Sequence, residues 1–188
     1  HLIAHPDDLA EVIRDPVRLG HDEICDDLLE VVGAHKEGEF TVAGTPTGPA
    51  SDRLRLANRR HLVRIASRDV SADDPTEIIE DVAAELADLA DGIVTAALAL
   101  ARADCPDHAD ARLAIIAMGK CGAQELNYIS DVDVIYVAEP ANDDVSGASA
   151  VTIATKLAAS VARMCSAHSG AGSIWQVDAA LRPEGNAG

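Results

Sequence analysis

The chain reads as an α+β protein: a small mixed sheet with flanking helices, preceded by helical segments. Three observations predict this. Residues 113–118 and 134–137 are apolar runs of strand length, separated by a Gly-containing turn and a short polar stretch. Residues 173–181 form a third strand-like run. Around these runs, residues 22–36, 51–69, 74–103 and 148–168 carry apolar side chains at three-and-four spacing.

The start of the chain is acidic and helical in pattern. Leu9, Val12 and Ile13 share one face over residues 7–14, and Ile24, Leu28, Val31 and Val32 share one over 22–36. Pro6 and Pro16 punctuate these segments. Gly44, Pro46, Gly48 and Pro49 mark residues 41–50 as a loop or linker. The division expected is therefore 1–50, a helical N-terminal segment and linker, and 51–188, a second unit. The chain opens on His1 and closes in a Gly-containing tail, so it is read as a piece of a longer protein, truncated at its C-terminal end.

Residues 51–69 return to helix, with Leu54, Ala57, His61, Leu62, Ile65 and Ala66 as the apolar stripe. Arg60, Arg64 and Arg68 stack on another face, and residues 53–68 hold six of the 15 Lys and Arg residues. Such a row is solvated, pairs with carboxylates of this acidic chain, or meets phosphate or an acidic partner. Asp74, Pro75 and Glu77 then start a long helix as cap, first-turn residue and capping-box partner. Ile79, Val82, Leu86, Leu89, Ile93, Ala97 and Leu100 form its apolar face, with Asp and Glu on much of the other. It packs on its own domain or serves as a coiled interaction helix. Residues 105–110 are the loop before the first strand. Residues 139–147 are a surface loop, and 148–168 a small-residue helix with Val151, Ala154, Leu157, Ala158, Val161 and Cys165 inward.

Composition excludes several function classes. A net charge of −17 repels a nucleic-acid backbone, and Phe40, Tyr128, Tyr136 and Trp175 are the only aromatic residues available for stacking on bases. No stretch is long and apolar enough to cross a membrane, and no signal segment is evident. Cys25, Cys105, Cys121 and Cys165 are scattered without a C-x-x-C pair, and the seven histidines are dispersed along the chain. Free thiols and a cytoplasmic location are expected, with no zinc site.

The chemistry gathers around the first two strands. Gly119 and Gly122 follow the first, where backbone can approach a ligand closely. Asp131 and Asp133 enter the second and, being two apart, face the same side. With 21 Asp residues, about two Asp-x-Asp pairs arise by chance, so the pair alone proves nothing. Two like charges on a half-buried strand nonetheless repel, and a divalent cation removes that penalty. Asp178, in the third run, is again an acid among apolar residues. If the two strands are neighbours, Asp131, Asp133 and Asp178 converge beside the Gly turn. That equips the site for two-metal chemistry on phosphate, with Asp178 completing one metal site and accepting the nucleophile's proton. There is no G-x-x-x-x-G-K-[ST] and no G-x-G-x-x-G, so neither a P-loop nor a dinucleotide fingerprint competes.

Residues 118–133, Met-Gly-Lys-Cys-Gly-Ala-Gln-Glu-Leu-Asn-Tyr-Ile-Ser-Asp-Val-Asp, followed by Val177-Asp-Ala-Ala-Leu-Arg-Pro183, closely resemble the nucleotidyltransferase domains of glutamine synthetase adenylyltransferase/adenylyl-removing enzymes. Residues 62–69 also look like that family's segment before its long helix. The resemblance covers about residues 51–188, and the helical start more weakly. It implies a DNA-polymerase-β-like nucleotidyltransferase fold. It further implies a cytoplasmic enzyme that uses Mg²⁺ in a two-metal site, with Mn²⁺ as the alternative ion. Glutamine synthetase would be the protein substrate, ADP or ATP and phosphate the small partners, and a nitrogen-signalling protein the regulator.

By the same resemblance Asp131, Asp133 and Asp178 are the metal-binding acids. Gly119, Lys120, Gly122 and Ser130 form the phosphate-side segment, and Arg182 is an anion contact. Residues 125–128 resemble the domain that removes AMP by phosphorolysis, since the adenylylating half typically has Gly where Asn127 stands. The alternatives are the ATP-dependent adenylylating domain, a catalytically silent nucleotide-binding regulatory module, or a helical scaffold docking through the Arg60–Arg64–Arg68 face. The chain departs from the family pattern at Cys121, Ala123, Ile129 and Ala180; the last stands where Arg is frequent and weakens one anion contact.

Overall fold

The computed structural model describes residues 3, 6, 9, 17–44 and 47–179. Apart from Leu9, the helix expected over 7–14 lies outside these residues, as do Ala180, Leu181 and Arg182.

Helix α1, His21–Val31, begins where Glu23 reaches back to accept the Gly20 N–H at 2.8 Å, and it buries Ile24 and Leu28. It stops five residues short of the expected end. Gly33 takes φ 63°, a left-handed conformation that terminates the helix. A hairpin follows, β1 Ala34–Glu37 paired antiparallel with β2 Phe40–Ala43. β2 thus replaces the first part of the loop expected over 41–50. Phe40, Val42 and Ala43 are buried, and Arg102 lies over the Phe40 ring at 5.2 Å.

Helix α2, Thr47–Ser71, starts earlier than its apolar stripe indicates. Helix α3, Pro75–Ala103, is the central strut and packs against α1, α2 and β2. Its start follows the predicted chemistry at two residues: Pro75 occupies the first turn and Asp74 accepts the Thr76 N–H at 2.9 Å. From Val82 onward it is buried on nearly every side, with alanines at 87, 90, 96, 97, 99 and 101 admitting close neighbours. It is therefore a packed helix and not a free interaction helix.

Two acids on the face expected to meet solvent are buried instead. Glu85 is 0% exposed and Asp88 is 7% exposed. Glu85 accepts from Arg64 Nη1 at 2.6 Å and pairs with Arg68. The Arg row thus pairs internally at Arg64 and Arg68, as one of the sequence readings allows.

After a 3₁₀ turn at His108–Asp110 comes the sheet, in order β3–β4–β5. β3 is Ala111–Ala117 and pairs antiparallel with β4, Val132–Pro140. The short helix α4, Gly119–Gly122, sits between them. Helix α5, Gly147–Ser166, covers the inner face of the sheet and contacts α3. Its cap is Ser146, which accepts the Ser149 N–H at 3.1 Å. β5 is only Val177–Asp178, parallel to β4, so the third strand is shorter than the expected 173–181 run. Its approach is pinned elsewhere, because the Ile174 N–H donates to Cys165 at the end of α5. One continuous core runs from Ile24, Leu28 and Val32 through α3 to Val132, Val134 and Trp175. Among the described residues, no helix is long and apolar enough to cross a membrane.

Candidate functional site

Strand alternation sorts β4 into two faces. Val132 and Val134 point into the core, whereas Asp133, Ile135 and Val137 point outward. Ile135 lies opposite Ile116 of β3, and these residues with Val137 form an exposed apolar strip. The acids stand at one end of that strip.

The parallel pairing of β4 with β5 sets Asp133 directly beside Asp178, both half-buried. Neighbouring strands run about 4.8 Å apart, so two side chains in register on the same face are adjacent. Asp131 is exposed and precedes β4. The ligating oxygens of Asp131, Asp133 and Asp178 do not all fall within 4.8 Å of one another; among the described residues, His21, Cys25 and Asp91 are the group of three that does.

The Gly turn is built against Asp133. Gly119 has φ 52°, and a Cβ on it would lie 2.5 Å from Asp133 Oδ2. The Met118 N–H donates to the Asp133 carbonyl at 2.8 Å, which fixes the turn to the strand. Lys120 follows and is exposed. Gly122 has a packing reason of its own, since a Cβ there would lie 2.4 Å from the Ala117 carbonyl oxygen.

Residues 123–131 carry the chain from the turn to the acids, and side chains that spacing alone does not single out tie this segment down. Gln124 takes φ 58° and donates from Nε2 to Asp88 at 3.3 Å. Leu126 is buried. The Asn127 carboxamide oxygen accepts from the Ile129 N–H at 3.1 Å and from the Ser130 hydroxyl at 2.8 Å. Ser130 is thus held by Asn127 immediately before Asp131. The Tyr128 hydroxyl donates to Asp69 at 3.0 Å, joining the loop to the end of α2. Burial, and then this carboxylate, push the Tyr128 phenol well above its usual range, so it stays a donor. Asn127 has a readable signal as a turn residue; Gln124 and Tyr128 have none without the fold.

The structure thus brings Gly119, Asp133 and Asp178 together, leaves Lys120 exposed on the turn after Gly119, and places Ser130 and Asp131 at the strand entrance. Arg182 lies outside the described residues. Hard carboxylate oxygens on adjacent strands suit Mg²⁺, and the bare backbone at Gly119 leaves the Asp133 carboxylate unobstructed.

Comparison with known proteins gives a consistent answer. The family model described as glutamate-ammonia ligase adenylyltransferase matches residues 25–188. A bifunctional glutamine synthetase adenylyltransferase/adenylyl-removing enzyme of Streptomyces coelicolor is 56% identical over 138 residues, covering 72% of this chain and 14% of the relative. Proteins of the same name match from Bifidobacterium longum (44% identity, 86% of this chain, 15% of the relative) and Mycobacterium tuberculosis (42%, 100% and 17%). The chain therefore spans less than a fifth of the length of these relatives.

Proposed function

The chain belongs to the glutamate-ammonia ligase adenylyltransferase family, and on that premise we propose that it carries the adenylyl-removing step on glutamine synthetase. In this reading a phosphate oxygen attacks the phosphorus of the adenylyl-tyrosine ester. The bond from phosphorus to the tyrosine oxygen breaks, the tyrosine oxygen takes up a proton, and ADP leaves. Both reactants are anionic, so neutralising charge is the main task of the site.

The observation that carries the proposal is the register of Asp133 with Asp178 beside the bare backbone of Gly119. Asp133 and Asp178, with Asp131 at the strand entrance, would hold Mg²⁺, which supplies charge neutralisation at phosphorus when bound. Lys120 adds an exposed positive charge next to the turn. Asn127 holds Ser130 and so sets the direction from which Asp131 enters. The same residue supports removal over addition, because the resemblance associates Asn at this place with the removing domain.

The test is calorimetric titration of ADP and of ATP, with and without Mg²⁺, into the protein and its Asp131→Asn, Asp133→Asn double variant. Metal-dependent heat with preference for ADP, abolished in the variant, is the expected result. Equal heats in the two proteins would remove the acids from the site, and preference for ATP would reverse the assigned direction.

A further inference from the structure

A second set of donors lies outside the acidic site. His21 is the first residue of α1, and Cys25 sits four residues on, over it on the same helix face. Asp91 comes from α3. Cys25 Sγ is 3.5 Å from His21 Nε2, and Asp91 Oδ2 is 2.5 Å from the same nitrogen. All three ligating atoms lie within 4.8 Å of one another.

Two further features show that this approach is built into the packing. The helices meet at Gly92, where a Cβ would lie 2.8 Å from Leu28 Cδ1 and 3.5 Å from Cys25 Cα. An added Cβ would press on the Leu28 methyl and touch the Cys25 backbone, so the helix carrying His21 and Cys25 packs directly on the residue that follows Asp91. On its other side the His21 ring is held by Asp22, whose Oδ1 is 3.1 Å from Nδ1. A carboxylate on one ring nitrogen that turns the other toward a shared centre is the usual support of a metal-bound histidine.

We propose that His21, Cys25 and Asp91 form a separate metal site, for a zinc-like divalent cation, that staples α1 to α3.

The distances favour a tetrahedral ion. Zn–N of about 2.05 Å and Zn–S of about 2.3 Å at a tetrahedral angle place N and S roughly 3.5 Å apart, the separation already present between Nε2 and Sγ. The Asp91 oxygen must move out by about 0.8 Å to the corresponding N···O separation. That motion replaces the hydrogen bond it shares with His21. Binding releases the Cys25 thiol proton and any proton held by His21. In the metal-free protein, burial and then the carboxylates of Asp91 and Asp22 push the thiol up to about 11, so it remains protonated.

A thiolate, an imidazole and a carboxylate form the mixed set that zinc accepts and that magnesium does not seek. The two sites therefore sort their ions by softness. Three protein ligands leave a fourth position. Next to it is a cavity of about 330 Å³, lined by His21, Asp88, Asp91, Cys121, Gly122 and Gln124. That cavity joins the staple to the end of the Gly119–Gly122 turn, so an ion held here would stiffen the support on which the turn rests.

The competing account is a plain ion pair between His21 and Asp91 with Cys25 as a bystander. Titration of Co²⁺ into the reduced, chelator-stripped protein separates the two. One equivalent should give tetrahedral visible bands with a thiolate-to-cobalt charge-transfer band. Zn²⁺ should displace it, and excess Mg²⁺ should not. Cys25→Ser, checked for fold by circular dichroism, should lose the charge-transfer band, whereas Cys121→Ser should keep it. Asp22→Ala, which disturbs only the ring's support, should weaken binding about tenfold. No tetrahedral spectrum in the parent protein, or a charge-transfer band that survives Cys25→Ser, would overturn the proposal.

Discussion

Gly119 and Asp133 compete for one volume: a Cβ on the glycine would lie 2.5 Å from the carboxylate Oδ2. The glycine also takes φ 52°, where an L side chain is strained. Gly119→Ala must therefore either rotate Asp133 away from Asp178 or unwind the turn that the Met118–Asp133 hydrogen bond fixes. The expected result is a turnover loss of at least about 100-fold, equivalent to roughly 2.7 kcal/mol in the barrier. Stability should fall by about 1–2 kcal/mol. Rates of the proposed phosphorolysis and urea denaturation measure the two separately. A variant that is less stable yet turns over normally would show that the Asp133 rotamer does not matter to the chemistry.

What was readable in the sequence followed from local rules. The β3–turn–β4 unit announced itself because its apolar runs have strand length and its glycines fall between them. Asp178 stood out as an acid inside an apolar run, and the fold sets it in register with Asp133. The β1–β2 hairpin was hidden because Ala34, His35, Lys36 and Glu37 are mostly exposed and carry no apolar alternation. With no strand signal of their own, they read as the polar end of the helix that precedes them. The burial of Glu85 was hidden for the opposite reason. Its position belongs to a charged face, and only the approach of α2 makes that face internal. The His21–Cys25–Asp91 group could not be found by spacing at all, since its third member arrives from another helix.

Glu85 offers a test of how the buried charges hold α2 on α3. It is fully buried, accepts from Arg64 and from the Leu19 N–H at 3.0 Å, and pairs with Arg68. Glu85→Gln leaves two mostly buried guanidinium groups without their counter-charge. Removing one partner of such a group costs about 3–5 kcal/mol. Urea denaturation should show a loss of that size. Replacing Glu85, Arg64 and Arg68 together by apolar residues of similar volume should recover most of it. A loss below about 1 kcal/mol in Glu85→Gln, the value of an exposed pair, would mean that solvent reaches this group.

His61 sets the pH response of the same interface. Its Nε2 is 2.8 Å from Asp27 Oδ2 and its Nδ1 is 3.3 Å from Arg64 Nη2. Since Arg64 can only donate, Nδ1 accepts, and the neutral ring carries its proton on Nε2 toward Asp27. Burial lowers the His61 pKa below the ordinary 6.5, the positive charges of Arg64 and Arg60 add to the shift, and Asp27 opposes it. With the folded pKa below the unfolded one, the unfolded chain binds the extra proton first as pH falls. The contribution of His61 to stability is therefore complete above 6.5 and is lost as pH falls from there through the folded pKa. Urea denaturation from about pH 7.5 to 5 should show the parent protein losing stability more steeply than His61→Gln, by up to about 1.4 kcal/mol per pH unit, the slope of one proton. Parallel curves would mean that the imidazole titrates as it does in solvent and that the buried contact to Arg64 does not hold it neutral.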